Sequence, residues 1–311
     1  MRHINIAGYG MIALLTAAAA VGLAAAQGVE TSGARLLELN GLIGQVDIRT
    51  SPGAAFNIEI IPGRKLSAQV ERDGTTLRIK GPMTRNARTT CNSRNNGAGH
   101  IQVMSINGAQ YTPEDLPRVI VTGPDTMGLR VKNSFIGGRV GDVGGATIDH
   151  SSCDSLTLSN VGSDLETNIS ASGDFISGNV GGRVDANLAG SGDVRLGNIR
   201  SDLKLNVAGS GDTRVGRVGG RVEINVAGSG DVKVASVSNI TEVNVAGSGT
   251  VILEGGRSQL SANIAGSGDI VHNGTAINPE VSIVGSGDVV VARLEGAPKV
   301  SKLGSGDFRS N

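Results

Sequence analysis

Hydrophobic and polar positions alternate with a period of two along most of the chain, which is typical of β-strands and not of helices. Leu203, Leu205 and Val207 share one face of a predicted strand, and the polar residues between them share the other. Residues 222–226 repeat this pattern 19 residues later. The chain is therefore predicted to consist of short strands joined by tight turns.

A Gly-Ser-Gly motif recurs every 19 residues without insertion or deletion, with Ala171-Ser172-Gly173 as the first of eight copies. An aspartate follows most copies, and a β-branched residue follows the aspartate. We expect glycine at both ends of the motif because the chain must turn there with positive φ while the next coil lies one strand spacing away. The motifs begin at Gly190, Gly209, Gly228, Gly247, Gly266, Gly285 and Gly304, and the predicted structural turn residues are Gly190, Gly192, Asp193, Gly209, Gly211, Asp212, Gly228, Gly230, Asp231, Gly266, Gly268, Asp269, Gly285, Gly287 and Asp288.

A 19-residue repeat is too short for the common helical solenoids, whose units have about 33 to 47 residues, and it lacks the leucine-asparagine frame of leucine-rich repeats. It suits one coil of a parallel β-helix. The predicted fold class is therefore all-β, a parallel β-helix or β-solenoid with a β-rich N-terminal cap. Coils stacked about 4.8 Å apart would make each sequence position a column along the axis.

One such column consists of asparagines and can form a ladder of amides, each side chain donating to the next. If the strand stays straight, these side chains face solvent; if it bends there, they line a corner. The predicted ladder contains Asn168, Asn187, Asn206, Asn225, Asn244 and Asn263.

Residues 1–26 are predicted to be an export signal, since an apolar, alanine-rich run follows Arg2 and ends in Ala24-Ala25-Ala26. No later apolar stretch is long enough to span a membrane. Residues 27–132 are expected to form a β-rich part with a hairpin at Asp73-Gly74 and a long loop over 84–110, and residues 133–311 the regular solenoid. We expect 27–311 to be one continuous domain.

Composition agrees with a thin coil. The 311 residues include 48 glycines and no tryptophan, and only 2% are aromatic. Narrow coils have no room for large rings. Basic and acidic residues balance at 28 each, so nothing in the charge favours nucleic acid or an anionic membrane.

Two cysteines, Cys91 and Cys153, lack the spacing of a zinc site. In an oxidising compartment they could form a disulfide that pins the loop to the first coil. Catalysis by Cys153 with His150 and Asp154 is the weaker alternative, because triads assemble in space and not in sequence.

The aspartate column is the one repeated set of ionisable groups. Cations follow two residues after several aspartates, at Arg195, Arg214, Lys233 and Arg309, and can neutralise the stacked carboxylates. Asp269 and Asp288 are followed by valines instead, so they are the two weak candidates for a Ca²⁺ site. No other metal and no cofactor is predicted.

A polysaccharide-active β-helix enzyme is the alternative to a binding or structural protein. Sugar sites usually offer aromatic platforms, which this chain scarcely has. We therefore expect no enzymatic activity and no catalytic residues.

The repeated Val-Ala-Gly-Ser-Gly-Asp-Val, together with Asp115-Leu116-Pro117 and the looser N-terminal strands, resembles the auto-transporter adhesin family with the head GIN domain, over roughly residues 34 to 308. The resemblance implies an exported β-solenoid of a Gram-negative bacterium, in the periplasm or at the cell surface. It also implies an adhesin-like role without established activity. The partner would be an envelope or surface ligand, protein or glycan.

The final repeat ends at Phe308-Arg309-Ser310-Asn311. Its coil would present unpaired strand edges, which can pair with another chain. End-to-end association of two copies is therefore a further prediction.

Overall fold

A computed structural model describes residues 29–84, 87–95 and 100–310. The predicted signal peptide, 1–26, lies outside these residues. The described chain is almost entirely β-structure, with one 3₁₀ turn at Pro113–Asp115. Among the described residues, no helix is long and apolar enough to cross a membrane.

Nine strands precede the regular coils. They are β1 Leu36–Asn40, β2 Ile43–Ser51, β3 Asn57–Ile61, β4 Gln69–Asp73, β5 Thr76–Lys80, β6 Thr89–Asn95, β7 His100–Ile106, β8 Ala109–Tyr111 and β9 Arg118–Pro124.

Seventeen strands build the coils. They are β10 Gly128–Val140, β11 Gly145–His150, β12 Leu156–Leu158, β13 Leu165–Ile169, β14 Phe175–Ser177, β15 Val184–Leu188, β16 Val194–Leu196, β17 Leu203–Val207, β18 Thr213–Arg217, β19 Val222–Val226, β20 Val232–Val245, β21 Val251–Leu253, β22 Gly256–Gly266, β23 Ile270–Gly285, β24 Val289–Glu295, β25 Lys299–Gly304 and β26 Phe308–Ser310.

The coils stack in register, and this confirms the predicted parallel β-solenoid. Leu165 of β13 lies opposite Val184 of β15, which lies opposite Leu203 of β17, which lies opposite Val222 of β19. Each step is 19 residues along the chain, and the solenoid has about 10 turns. Every sequence column is thus a physical row along the axis.

The core is a thin stack of aliphatic side chains. Leu205 and Ile224, on successive coils, are fully buried, as is Ala186 one coil earlier. The largest buried side chains are Phe135 and Phe175. Small inward residues therefore fill the coil, as the scarcity of aromatic residues predicts.

Chain order and spatial order differ at the N-terminal end. β5 pairs with β1 and β9 pairs with β2, both in parallel. β1 and β2 pair with β10 on their other side, so β5 and β9 lie at the N-terminal end of the stack although they follow β1 and β2 in sequence. β3 runs antiparallel to β9, and β4 antiparallel to β5 in the predicted hairpin. These two antiparallel strands flank the end of the parallel stack. β10 continues through the boundary at 132/133, pairing with both β1 and β2.

The prediction of a long loop over 84–110 is wrong. β6, β7 and β8 form a separate three-stranded antiparallel sheet there. Polar and apolar residues alternate over 100–103 and again over 104–106, a strand pattern that the many Asn, Arg, Gly and Ser residues around it obscure. Met104 and Ile106 pack in a small apolar cluster with Ile43 and Phe135.

The expected reason for the turn glycines is confirmed for the close approach of the adjacent coil and wrong, for most of them, for the positive φ. Among the glycines of the repeated motif, only Gly266, Gly285 and Gly304 have positive φ. At Gly190, a Cβ would collide with the carbonyl oxygen of Ala171 on the preceding coil. Glycine is required there because the stacked backbones approach too closely for any side chain.

Candidate binding surface

The asparagine column lies on a straight strand and faces outward. Asn225 donates from Nδ2 to Oδ1 of Asn206 at 2.8 Å, and Asn244 donates to Asn225 at 2.8 Å. The row continues in both directions, from Asn263 down to Asn168, which donates to Asp149 at 2.9 Å. Each amide donates one N–H within the row, and each oxygen except that of Asn263 accepts one; the second N–H of Asn225 donates to Glu223 at 3.3 Å.

A column of charged residues runs two positions before the asparagines on the same strands. Lys204 lies 3.7 Å from Glu223, and Arg221 reaches Glu242 at 2.9 Å. We call the asparagine and charged columns of β13, β15, β17, β19 and β20 together the ladder face. At its N-terminal end, a groove of about 460 Å³ opens beside Arg130, Glu166 and Asp185.

The aspartates that follow the turns accept hydrogen bonds from the backbone of the neighbouring coil. Oδ1 of Asp174 accepts the backbone N–H of Asp193 at 3.0 Å, and Oδ1 of Asp193 accepts that of Asp212 at 3.1 Å. Arg195 lies 3.3 Å from Asp193 and 3.7 Å from Asp174. Backbone donors and arginines together compensate the stacked carboxylates.

The two calcium candidates follow the same arrangement. Oδ1 of Asp269 accepts the N–H of Asp288, and Oδ1 of Asp288 accepts the N–H of Asp307, each at 2.8 Å. Asp288 also lies 3.3 Å from Arg309 on the next coil. Within the described part of the chain, no three His, Cys, Asp or Glu side chains are grouped as metal ligands. A Ca²⁺ ion would have to compete with these contacts.

A second ladder, which the sequence reading missed, lines another corner. Asn160 accepts the backbone N–H of Asn179 at 3.0 Å, Asn179 that of Asn198 at 3.0 Å, and Asn198 that of Arg217 at 2.9 Å. The 19-residue spacing of these asparagines was visible in the sequence. A groove of about 580 Å³ runs along this corner and is also lined by Arg200. We call it the arginine groove.

The residues of the catalytic alternative do not assemble. Cys153 forms a disulfide with Cys91, with the two Cα atoms 5.6 Å apart. Asp154 accepts a hydrogen bond from Gln45 at 2.6 Å. His150 is buried in a core column opposite Ile169. The imidazole therefore packs in the interior, where a substrate could not reach it.

Two histidines are buried without hydrogen-bond partners at either ring nitrogen, His150 and His272. Burial lowers the pKa of each to about 4. His272 lies opposite Leu253 and Val291, both fully buried. Both rings are therefore neutral members of the apolar core at neutral pH.

The fold and surface define a class of protein: a parallel β-solenoid that presents long, regular outward columns. The family model for "Putative auto-transporter adhesin, head GIN domain" matches residues 44–237 and 234–311. The chain therefore belongs to this family, which supports an adhesin-like role without enzymatic activity.

Among solved structures, a putative adhesin from Bacteroides fragilis is similar over 91% of this chain and 94% of its own, with 13% identity and a TM-score of 0.31. No curated protein matches the sequence.

Proposed function

We propose that this protein is an exported, adhesin-like binding protein of the bacterial cell envelope, and that it binds its ligand through its long outward faces. The observation that carries the proposal is the asparagine ladder from Asn168 to Asn263. The ladder holds a straight row of amides at strand spacing, and most of them keep one N–H that is not used within the row; that of Asn225 donates to Glu223 at 3.3 Å.

Rigidity supports this function. Each amide is held by its neighbours in the row, so little side-chain freedom remains to be lost when a ligand binds. The charged column beside it adds directional contacts. A ligand that follows such a surface would itself be extended, as a glycan chain or a surface protein strand is. The family and the predicted signal, 1–26, support residence in the periplasm or at the cell surface.

The test is fractionation of cells that produce the full chain, followed by protease treatment of intact cells and binding of the purified protein to isolated envelopes. We expect the protein in an envelope or surface fraction and saturable envelope binding. Replacing Asn206 and Asn225 by Leu should weaken binding, whereas Ser286→Leu, at the Gly-Ser-Gly corner, should not. Cytoplasmic residence, or release of products from acidic polysaccharides, would contradict the proposal.

A further inference from the structure

The two arginines of the arginine groove have no carboxylate partner within the described residues, unlike most other arginines of the solenoid. Arg214, for example, is 3.3 Å from Asp212. In the part of the chain that the structure describes, neither Arg200 nor Arg217 has a carboxylate at ion-pairing distance. Both side chains are exposed at the groove.

The two arginines lie on adjacent coils. The N–H of Ile199 donates to the carbonyl oxygen of Arg217 at 2.8 Å, so the backbones beside Arg200 and Arg217 are one strand spacing apart. The two arginines therefore line the same groove from neighbouring coils.

Two asparagines of the groove, Asn179 and Asn198, contribute NH₂ donors, whereas Asn160 donates to Asp142 at 3.1 Å. The oxygens of Asn179 and Asn198 already accept backbone N–H groups, so each amide presents its NH₂ group to the groove. No acceptor within the described residues bonds either NH₂ group. Guanidinium groups likewise only donate. These side chains together favour a ligand that is rich in acceptors and negatively charged.

We propose that the arginine groove binds the carboxylates of an acidic polysaccharide, in which uronate groups recur along an extended chain. A guanidinium pairs with a carboxylate through two parallel hydrogen bonds. Single-stranded nucleic acid is a poorer fit, because its binding sites rely on aromatic stacking, and the groove has no aromatic residue. This inference rests on the proposed function and adds to the asparagine ladder a second, separate site with the chemistry of its ligand.

The test measures binding of the full chain to polygalacturonate, with neutral dextran as the comparison, by titration calorimetry at several salt concentrations. The variant is Arg200→Gln with Arg217→Gln. The matched control is Arg195→Gln with Arg214→Gln, which removes the same charge from a neighbouring column whose arginines are paired with aspartates. Thermal melts verify that all variants fold.

We expect polygalacturonate to bind and dextran not to bind. The groove variant should lose about tenfold in affinity for each arginine, and the control should stay within about twofold. Equal loss in both pairs, or none, would overturn the inference, as would binding to vesicles of anionic lipid without binding to polygalacturonate. If the groove variant still binds isolated envelopes as the wild type does, the inference fails while the proposed function stands. If no form binds envelopes, the proposed function fails.

Discussion

Oδ1 of Asp193 accepts a hydrogen bond from the backbone N–H of Asp212, one coil further along the axis, at 3.1 Å. The carboxylate of one coil thus satisfies a main-chain donor of the next, at a turn where no strand partner is available. A buried or half-buried donor that loses its partner destabilises the fold. The aspartate column is therefore part of what holds successive coils in register.

Asp193→Ala should lower the free energy of unfolding by about 1–2 kcal/mol, because the N–H of Asp212 loses its acceptor and Arg195 loses the nearer of its two carboxylate partners. Denaturant titration followed by circular dichroism measures the change. Asp193→Asn is the control, since it keeps Oδ1 and removes only the charge. An asparagine variant as unstable as the alanine variant would show that the ion pair, and not the backbone hydrogen bond, dominates.

The buried histidines predict loss of stability in acid. The pKa of His272 is about 4 in the folded chain, below the ordinary value of about 6.5 expected when unfolded. The folded state therefore disfavours the proton. The free energy of unfolding is therefore unaffected by titration of this residue above pH 6.5. It decreases as the pH falls from 6.5 toward 4, by at most about 3 kcal/mol for His272.

His272→Leu tests this, because both of its neighbours in the column are aliphatic. We expect the variant to lose less stability than the wild type between pH 7 and 4.5, measured as unfolding free energy in urea. Carboxylates titrate alike in both proteins, so the difference isolates the histidine. Parallel pH curves for the two proteins would contradict the prediction. His150→Leu should have a similar effect at the other site.

The disulfide joins residues 62 apart in sequence. By chain entropy, closing a loop of this length stabilises the folded state by about 4 kcal/mol. Reduction, or replacement of both Cys91 and Cys153 by Ser, should therefore release the small sheet of β6–β8 before the solenoid unfolds. Limited proteolysis with peptide mapping should show early cleavage within 84–117 in the reduced protein. Equal cleavage rates with and without reductant would contradict this.

The period of the repeat was sufficient to predict the coil, because in-register stacking converts sequence spacing directly into spatial columns. Asn187 and Asn206 could be placed side by side from their 19-residue separation alone. The same rule applied equally to Asn160 and Asn179. Their ladder was missed because its donors are backbone N–H groups, which no side-chain pattern reveals.

The N-terminal part was harder to predict, because its pairing does not follow chain order. β5 reaches β1 from 40 residues downstream, and nothing local to either strand specifies that partner. At Gly190 the repeat predicted that another coil lies close, but it did not predict that the carbonyl oxygen of Ala171 alone, without positive φ, requires glycine. Local propensity describes a turn, whereas close approach between coils needs the assembled structure.

The last coil that the structure describes breaks the aliphatic pattern of its column. Lys302 lies opposite the fully buried Ile283 and reaches Asp307 at 2.6 Å. A second copy stacked on this end would have to bury that pair, which is costly unless other hydrogen bonds compensate. Charges at such positions are a known means of preventing edge-to-edge association. Lys302 therefore opposes the end-to-end contact expected from the sequence.

Lys302→Ile should restore the apolar column and promote association of two copies, measured as a concentration-dependent rise in mass by light scattering. Lys299→Ile is the matched control, since it removes the same charge from the same strand at a strongly exposed position paired with Glu280. We expect the control to keep the mass of the wild type. If both variants associate equally, loss of charge alone is responsible. If neither does, β25 and β26 do not support end-to-end pairing of two copies.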